Sequence, residues 1–479
     1  MEREYLRRPG QGPTSYRRES AEERIRRLRE EKRRSRRQER RQKRSTITGP
    51  LQALFRLIMI LLAFYLLVST LTATVRAATF KGDSSWHENS VTPANLDQLQ
   101  PYLDETASHQ APVPPEIAAL SAALYDPDTG QFLYEKEADR QLPNASTTKM
   151  LTGILTLENC SLQDQVTISR RAATTPEQSI WLKEGETLTV EDLLYALMLR
   201  SANDAAVALA EHVSGSVEAF ADLMNRKAAE IGATGTHFVN PNGLDAPGHH
   251  TTAHDLALIG AYCMRNEDFR RIVATDSYAL PPSPGNQWER ISDNHNKLLD
   301  IYPYADGIKT GYTVPAGKCL VGSAEKDGRR LISVILNGGE GYFQDSARLL
   351  EYGFEEFVRV VYARQGDGFF RMKVGRLPQS ETEAVAAEDL QLTVRKDLLK
   401  EALAGTLRCR RWVDYPLGKG QEVGEISAAA GQYRARVGLV SGESVPSPSG
   451  LKRMWSFLSA LLTFGFLAAA VAGRGNDPW

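Results

Sequence analysis

The stretch LPNASTTKMLTGILTLE, residues 142–158, carries the features that decide the fold. Its apolar residues recur at helical spacing, which predicts a helix over 145–159. Ser146 and Lys149 stand three residues apart at the start of this helix, so they share one of its faces. A serine hydroxyl is a weak nucleophile until a base removes its proton, and a lysine whose pKa is lowered can be that base. The stretch therefore predicts an activated serine.

The spacing of Ser and Lys is weak evidence by itself, because the chain contains it twice more. Ser323 and Lys326 lie where a predicted strand gives way to a turn. Ser449 and Lys452 lie directly before a long apolar segment near the C-terminus. Neither pair begins a helix with supporting partners, so we favour the first pair.

A second element, Ser201-Ala202-Asn203, joins predicted helices over 190–200 and 203–213. A hydroxyl at this point can relay protons, and a carboxamide can bind both Lys149 and a substrate amide. A rival, Ser292-Asp293-Asn294, lies in a polar stretch with no predicted helix around it. We therefore predict that Ser201 and Asn203 belong to the catalytic site.

A third element is Lys309-Thr310-Gly311, which Tyr312 follows. The charge of Lys309 and the hydroxyl of Thr310 suit the carboxylate of a substrate. Gly311 has no side chain, so a substrate backbone can approach closely. The backbone N–H of Tyr312 can pair with that of Ser146 as an oxyanion hole. These four residues are predicted to bind substrate.

The order of elements predicts an α+β fold. A hairpin is expected over 119–138, helices follow it, and apolar strands return after Asp306. Such an order favours a mostly antiparallel sheet covered by helices, which we assign to residues 113–362. Short strands and turns over 363–446 predict a small C-terminal β-rich domain. The polar residues 79–112 are interpreted as a linker.

Charge is distributed unevenly along the 479 residues, although the net charge is only −1. Residues 1–49 hold 18 Lys and Arg and 8 Glu, which leaves the remainder with a net charge of −11. The basic block is thus a local arm, interpreted as cytoplasmic. The acidic body has no electrostatic reason to bind nucleic acid, so no nucleic-acid partner is expected.

Two uncharged segments predict attachment to a membrane. Leu57–Val75 has 19 residues without a charge, close to the roughly 20 that cross a bilayer, and it comes after the basic arm. A signal anchor over 50–78 is therefore favoured, although Val75-Arg76-Ala77 also allows cleavage. Either outcome exports the bulk of the chain. Met454–Gly473 predicts a second membrane segment over 452–474; a span is favoured over an interfacial helix, which needs a charged face.

The cysteines and histidines give no metal motif. None of the four cysteines lies in a CxxC pair, so a zinc or redox site is not expected and buried thiols are preferred. Export permits one disulfide, but spacing cannot identify it. His249, His250, His254 and Asp255 are interpreted as cleft packing and a helix cap, since no HExxH pattern is present. No GxSxG motif contains Ser146, which disfavours a Ser-His-Asp hydrolase.

The chain resembles the D-alanyl-D-alanine carboxypeptidase family, the low-molecular-mass penicillin-binding proteins, over roughly residues 112–360. The stretches that carry the resemblance are LPNASTTKMLTGILTLE, VEDLLYALMLRSANDAAVALAEHVSGS, FADLMNRKAAEIGATGTHFVNPNGLD, HHTTAHDLALIG and DGIKTGYTVPAGKCLVGSA. A weaker likeness to the family's C-terminal β domain covers YPLGKGQEVGEI, residues 415–426. The resemblance implies a fold like that of β-lactamases and penicillin-binding proteins.

The resemblance also implies roles for the residues singled out above. Ser146 would form the acyl-enzyme, with Lys149 as its base and Ser201 and Asn203 as the second catalytic element. Lys309 and Thr310 would hold the terminal carboxylate of a peptidoglycan stem peptide that ends in D-Ala-D-Ala. β-Lactams would acylate the same serine, and no metal or other cofactor is needed. The enzyme would be bacterial and would work at the outer face of the cell membrane.

Two other functions fit the same resemblance. The fold also serves β-lactamases and DD-endopeptidases, but fast β-lactam turnover needs a deacylating carboxylate, and we identify no counterpart of the class A glutamate. The chain could instead be an inactive wall-binding scaffold, against which the three intact motifs argue.

Overall fold

The structure, a computed structural model, describes residues 24–38, 56–61, 63–64, 86–105, 111–375 and 378–472. The chain divides into two compact units, Met1–Ser84 and Ser85–Trp479. In the first unit, residues 24–38 and the described residues between 56 and 64 are helical. Most of the predicted signal anchor over 50–78, and the rest of the basic arm, lie outside the described residues.

The second unit holds the elements on which the site is built. Its strands are β1 (Trp86–Val91), β2 (Ser121–Asp126), β3 (Gln131–Lys136), β4 (Gln165–Thr167), β5 (Thr187–Thr189), β6 (Ser277–Leu280), β7 (Arg290–Asp293), β8 (Ala305–Thr313), β9 (Gly317–Lys326), β10 (Arg329–Gly338), β11 (Phe357–Ala363), β12 (Gly368–Val374), β13 (Ser380–Ala386), β14 (Leu390–Arg395), β15 (Gly405–Arg410), β16 (Trp412–Val413), β17 (Glu422–Ala430) and β18 (Tyr433–Ser441). Its α-helices are α1 (Leu96–Glu105), α2 (Lys149–Asn159), α3 (Arg170–Ala173), α4 (Val190–Tyr195), α5 (Asn203–Ser214), α6 (Val217–Ile231), α7 (Ala253–Cys263), α8 (Glu267–Val273), α9 (Leu298–Ile301), α10 (Tyr342–Glu356) and α11 (Gly450–Ala472).

A five-stranded antiparallel sheet in the order β3-β2-β10-β9-β8 forms the centre of this unit. Neighbouring residues of a strand point to opposite faces, and both faces of this sheet are covered. In β10, Val334 belongs to the core shared with α2, α5 and α7, whereas Leu331 and Ile335 belong to the core on the opposite face with α10. The predicted α+β layering is confirmed, with β8 left at the edge of the sheet.

A second sheet has seven strands in the order β1-β15-β17-β18-β13-β12-β16, and β11 pairs with β14 beside it. The β-rich character predicted for 363–446 agrees with these strands, and the helical stretch expected there is two 3₁₀ turns, Lys396–Leu398 and Glu401–Leu403. Because residues 85–479 form one compact unit, the predicted boundary between 362 and 363 stays a prediction.

The prediction of a linker over 79–112 is wrong for the residues of this range that the structure describes. β1 pairs with β15, from Trp86 opposite Arg410 to Val91 opposite Gly405, and α1 follows with Leu99 buried. β1 is an edge strand in which only Val91 is buried, so its sequence shows no alternation of apolar and polar residues. The polar composition of residues 86–91 therefore gave no indication in the sequence that they form a strand.

The C-terminal apolar segment is helical from Gly450 to Ala472. Among the residues that the structure describes, no helix combines the length and the apolar character that crossing a bilayer requires. Attachment to a membrane therefore stays a prediction from the sequence.

Candidate active site

A short 3₁₀ turn places Ser146 at the entrance to α2. The turn spans Ala145–Thr148 and leads directly into the helix, so the predicted helix over 145–159 begins with one tighter turn. The Thr147 hydroxyl donates to the Asn144 carbonyl at 2.8 Å, and the Asn144 amide donates to the Thr148 hydroxyl at 2.9 Å. These buried bonds fix the turn around Ser146, which is itself half-exposed.

Lys149 is fully buried one turn after Ser146, and three oxygen atoms surround its amine. Its Nζ lies 2.8 Å from Ser146 Oγ, 2.7 Å from Asn203 Oδ1 and 2.5 Å from the Asn242 carbonyl. Burial, and after it the charge of nearby Lys309, lower the pKa of this amine well below its usual 10.5. A neutral amine donates twice, and the Asn203 and Asn242 oxygens can only accept. The remaining lone pair then faces the hydroxyl of Ser146, which is the arrangement of a general base.

Asn203 is positioned by the loop in front of it. Its side-chain Nδ2 donates to the Pro176 carbonyl at 3.0 Å, and its backbone N–H donates to the Gln178 carbonyl at 2.7 Å. These bonds turn the Oδ1 atom toward Lys149. The carboxamide is therefore held in one orientation before any substrate binds.

Ser201 lies at the junction predicted between two helices. α4 continues as a π-helical turn over Ala196–Arg200, and Ser201 ends it in the left-handed conformation with φ 65°. π turns often mark functional sites. Within the described part of the chain, the buried Ser201 Oγ has no hydrogen-bond partner. A buried hydroxyl without a partner is available to a substrate or to a proton in transit.

Lys309-Thr310-Gly311, the third motif of the sequence, lies on the edge strand β8, and its glycine packs against Ser146. A Cβ atom built on Gly311 would lie 2.9 Å from the Ser146 nitrogen and 3.1 Å from the Thr147 nitrogen, both backbone atoms that cannot yield. Only glycine fits there, so the strand can approach Ser146 closely. Thr310 is half-buried and Tyr312 is exposed on the same strand. The pairing of the Ser146 and Tyr312 amides as an oxyanion hole stays a prediction.

Lys309 is the second buried amine of the site. Its Nζ donates to the Thr310 carbonyl at 3.1 Å, and burial lowers its pKa to about 7. Two buried ammonium groups would repel one another, and the charge of Lys309 lowers the pKa of Lys149. A charged Lys309 therefore favours the neutral form of Lys149.

Sequence reasoning missed a third contact of Lys149, which the Asn242 carbonyl provides. The Asn240 side chain accepts from the Gly243 N–H at 2.7 Å, and Thr152 Oγ1 donates to the Pro241 carbonyl at 2.6 Å. These bonds fix the turn Asn240-Pro241-Asn242-Gly243. The Asn-Pro-Asn-Gly sequence predicts a turn, but nothing in it shows which residue the turn faces.

His249 links the Ser146 turn to the residue before the Asn240 turn by hydrogen bonds to Thr148 and Val239. Its Nδ1 accepts from the Val239 N–H at 3.0 Å, so its Nε2 carries the hydrogen toward Thr148 Oγ1, 2.9 Å away. Burial lowers the pKa of His249 to about 4, so the ring is neutral. The structural interpretation also holds for His254, which stacks on Phe132, and for Asp255, whose N–H donates to the hydroxyl of Thr252 at the start of α7.

The competing motifs make structural contacts. Asn294 donates to the carbonyls of Val273 and Thr275, which makes it part of a turn beside β7. Ser323 lies within β9 and accepts from Arg330 at 2.7 Å. Both are therefore structural residues, as their sequence context indicated.

Replacing Gly243 with alanine should disable the site and lower stability. Gly243 has φ +86°, and a Cβ there would lie 1.9 Å from the Ala145 carbonyl oxygen, so the turn that carries Ser146 must move. We expect a fall of at least about 2 kcal/mol in the free energy of unfolding and a marked loss of penicillin acylation. Thermal unfolding and the acylation rate measure the two effects.

Gly185→Ala is the matched control. Gly185 has φ +79° but no atom within 4 Å of a built Cβ, so the variant isolates the backbone strain, about 1–2 kcal/mol. Equal losses of acylation in the two variants would contradict a specific role for the Gly243 turn.

The geometry defines a class of enzyme. A partly exposed serine is hydrogen-bonded to a buried lysine of lowered pKa, with a fixed carboxamide and a second buried lysine beside them. This is the machinery of a serine acyltransferase or hydrolase with a lysine base.

Comparison with known proteins gives the family. The family model for D-alanyl-D-alanine carboxypeptidase, peptidase family S11, matches residues 106–340. The chain is 31% identical over 315 residues to D-alanyl-D-alanine carboxypeptidase DacF of Bacillus subtilis, covering 64% of this chain and 80% of that protein. It is 33% identical over 368 residues to D-alanyl-D-alanine carboxypeptidase DacC of Escherichia coli, covering 74% of this chain and 90% of that protein.

A solved structure agrees. Penicillin-binding protein 5 from Haemophilus influenzae superposes with a TM-score of 0.63 at 30% identity, covering 70% of this chain and 100% of that one. The chain therefore belongs to the D-alanyl-D-alanine carboxypeptidase family, has the penicillin-binding-protein fold and is a serine-type carboxypeptidase. The resemblance seen in the sequence is confirmed.

Proposed function

We propose that this enzyme removes the terminal D-Ala from peptidoglycan stem peptides through an acyl-enzyme on Ser146. The observation that carries the proposal is the contact between Lys149 Nζ and Ser146 Oγ at 2.8 Å, with the Asn203 and Asn242 oxygens occupying the other positions around the amine. The family assignment supports the substrate class.

The reaction begins with recognition of the terminal carboxylate. Lys309 supplies a positive charge on the edge strand β8, and the next residue, Thr310, supplies a hydroxyl. An ammonium and a hydroxyl together form strong hydrogen bonds to a carboxylate. The peptide then lies along β8, which Gly311 allows to approach the turn of Ser146 closely, and its last peptide bond reaches Ser146.

Acylation depends on the two protonation states in the site. Lys149 takes the proton of Ser146 as Oγ attacks the carbonyl carbon between the two D-Ala residues. The amides of Ser146 and Tyr312 stabilise the oxyanion. The proton passes from Lys149, by way of the free Ser201 hydroxyl, to the leaving nitrogen of D-Ala. Water then attacks the ester and releases the shortened peptide.

Release of D-Ala from a peptide that ends in D-Ala-D-Ala tests the proposal. The purified chain should release one D-Ala per peptide and should leave the same peptide ending in D-Ala-L-Ala intact. Penicillin should inhibit the release as it acylates the enzyme. Rapid, sustained hydrolysis of nitrocefin without D-Ala release would instead favour a β-lactamase, and neither activity would favour an inactive scaffold.

The rate of acylation should fall at alkaline pH, and the loss of the proton from Lys309 should determine where this alkaline limb lies. A lysine is charged below its pKa, so Lys309, with a pKa of about 7, loses its charge as the pH rises above neutrality. The second-order rate constant for acylation by penicillin, a carboxylate, should fall across this range, because this constant reports the free enzyme. The rate should also fall wherever a lower pH protonates Lys149, whose pKa burial lowers well below its usual 10.5.

Lys309→Arg tests the assignment of the alkaline limb, because arginine stays charged throughout. The variant should flatten that limb, even if the larger side chain lowers the rate at every pH. An unchanged alkaline limb in this variant would assign it to another group. Stopped-flow quenching of protein fluorescence by penicillin measures the rates.

We also propose that the enzyme works at the outer face of the cell membrane. The uncharged Leu57–Val75 segment after a basic arm supports an export anchor, and the uncharged Met454–Gly473 segment supports a second attachment. Fusion of alkaline phosphatase after residue 112 should be active in a bacterial host, and a fusion after residue 49 inactive. The reverse pattern would overturn the orientation.

A further inference from the structure

The structure assembles three metal-ligand side chains far from Ser146. Cys160, Asp164 and His212 each offer one ligand atom, and these atoms all lie within 4.8 Å of one another. They come from the residue that ends α2, the turn after it, and the last turn of α5. Because α2 and α5 pack together, residues separated by 52 positions meet at the same ends of two helices.

We propose that Cys160, Asp164 and His212 form a binding site for a zinc-like divalent cation. One thiolate, one imidazole and one carboxylate are a donor set that Zn²⁺ accepts, with water as the fourth ligand. Tetrahedral zinc places such atoms about 3.3–3.6 Å apart, so side-chain shifts of about 1 Å complete the geometry. When the metal binds, a metal–sulfur bond forms and the Cys160 S–H proton is released to solvent.

The backbone around the cluster is held in place without a metal. The Ser161 N–H donates to Asp164 Oδ2 at 2.9 Å, which orients the carboxylate and leaves its other oxygen for a cation. The Cys160 N–H donates to the Thr156 carbonyl at 3.0 Å, and the Asp164 carbonyl accepts from Val190 at 2.9 Å. Among described residues, the Cys160 thiol and the His212 ring make no hydrogen bond of their own. Their donor atoms are therefore available.

A second, independent observation is the electrostatics of the two helix ends. The C-terminus of a helix carries a partial negative charge, and here two of them converge on the cluster. The last turn of α2 has no basic residue, and the last turn of α5 has only His212. Asp164 adds a full negative charge. These negative charges would stabilise a bound cation.

Cobalt spectroscopy of the tag-free full chain tests the site. Co²⁺ should bind with one equivalent per chain, give a thiolate-to-cobalt charge-transfer band in the near ultraviolet with tetrahedral visible bands, and be displaced by Zn²⁺. Cys160→Ser should abolish the charge-transfer band. Asp164→Asn and His212→Ala should weaken zinc affinity by at least about tenfold.

Cys409→Ser is the matched control, because it removes a buried thiol in the second sheet and should leave the band intact. Labelling by fluorescent penicillin shows that each variant is folded, and zinc should raise the Tm of the parent but not of Cys160→Ser. Absence of the band in the parent, or its persistence in Cys160→Ser, would overturn the proposal. Neither result bears on the chemistry at Ser146.

Discussion

Ser146→Ala should abolish covalent labelling by a fluorescent penicillin and should lower D-Ala release by at least about 10⁴-fold. The reason is that the oxygen of this hydroxyl forms the covalent bond to the substrate. Among the described residues, no other hydroxyl is hydrogen-bonded to Lys149. Ser146 is half-exposed, so losing its oxygen removes little packing and the fold should survive. Thermal unfolding of the variant should stay within a few degrees of the parent.

Ser449→Ala provides the matched control for this experiment. Ser449 shares the Ser-x-x-Lys pattern with Ser146 but is exposed at the start of α11. Its replacement should leave labelling unchanged. Normal labelling of Ser146→Ala would show that the acylated residue lies elsewhere and would remove the basis of the mechanism.

Removal of the Lys149 amine should produce the second large effect. Lys149→Met keeps much of the side-chain volume but supplies no base, so acylation should slow by about 10²–10⁴-fold, the usual contribution of general-base catalysis. Lys149→Arg should be equally impaired, because arginine keeps a charge and cannot take a proton near neutral pH. The acylation rate at several pH values separates loss of the base from loss of charge.

Lys149→Met should also lower the free energy of unfolding. The Asn203 Oδ1 and Asn242 carbonyl oxygens lose their donor, at a cost of about 1–3 kcal/mol for each buried group left unsatisfied. Lys136→Met is the control, because Lys136 also donates to a carbonyl, that of Ile117, but lies away from the site. Full acylation by Lys149→Met would show that another group is the base.

The side chains of the candidate site could be identified from the sequence because each depends on a local pattern. An i, i+3 spacing at a helix start places Ser146 and Lys149 together, and the structure gives 2.8 Å between their polar atoms. A junction between two apolar helices identifies Ser201 and Asn203. A Lys-Thr-Gly sequence among apolar strands identifies Lys309 to Gly311. In each case the local structure and the required chemistry agree.

Other features have no local signature. The Asn242 contact to Lys149 is made by a backbone carbonyl, which every residue possesses. β1 resembles a linker in sequence because a polar edge strand needs little apolar surface. The cluster of Cys160, Asp164 and His212 depends on how α2 and α5 pack, which the spacing of cysteines cannot reveal. Tertiary placement, rather than residue type, decides all three.

Mapping the penicilloyl adduct by mass spectrometry tests the central chemical claim most directly. After brief reaction and acid quenching, trypsin should release residues 141–149, and the adduct mass should lie on this peptide at Ser146. An adduct on a peptide that contains Ser201 or Ser323, or a chain that remains unmodified at saturating penicillin, would contradict the account.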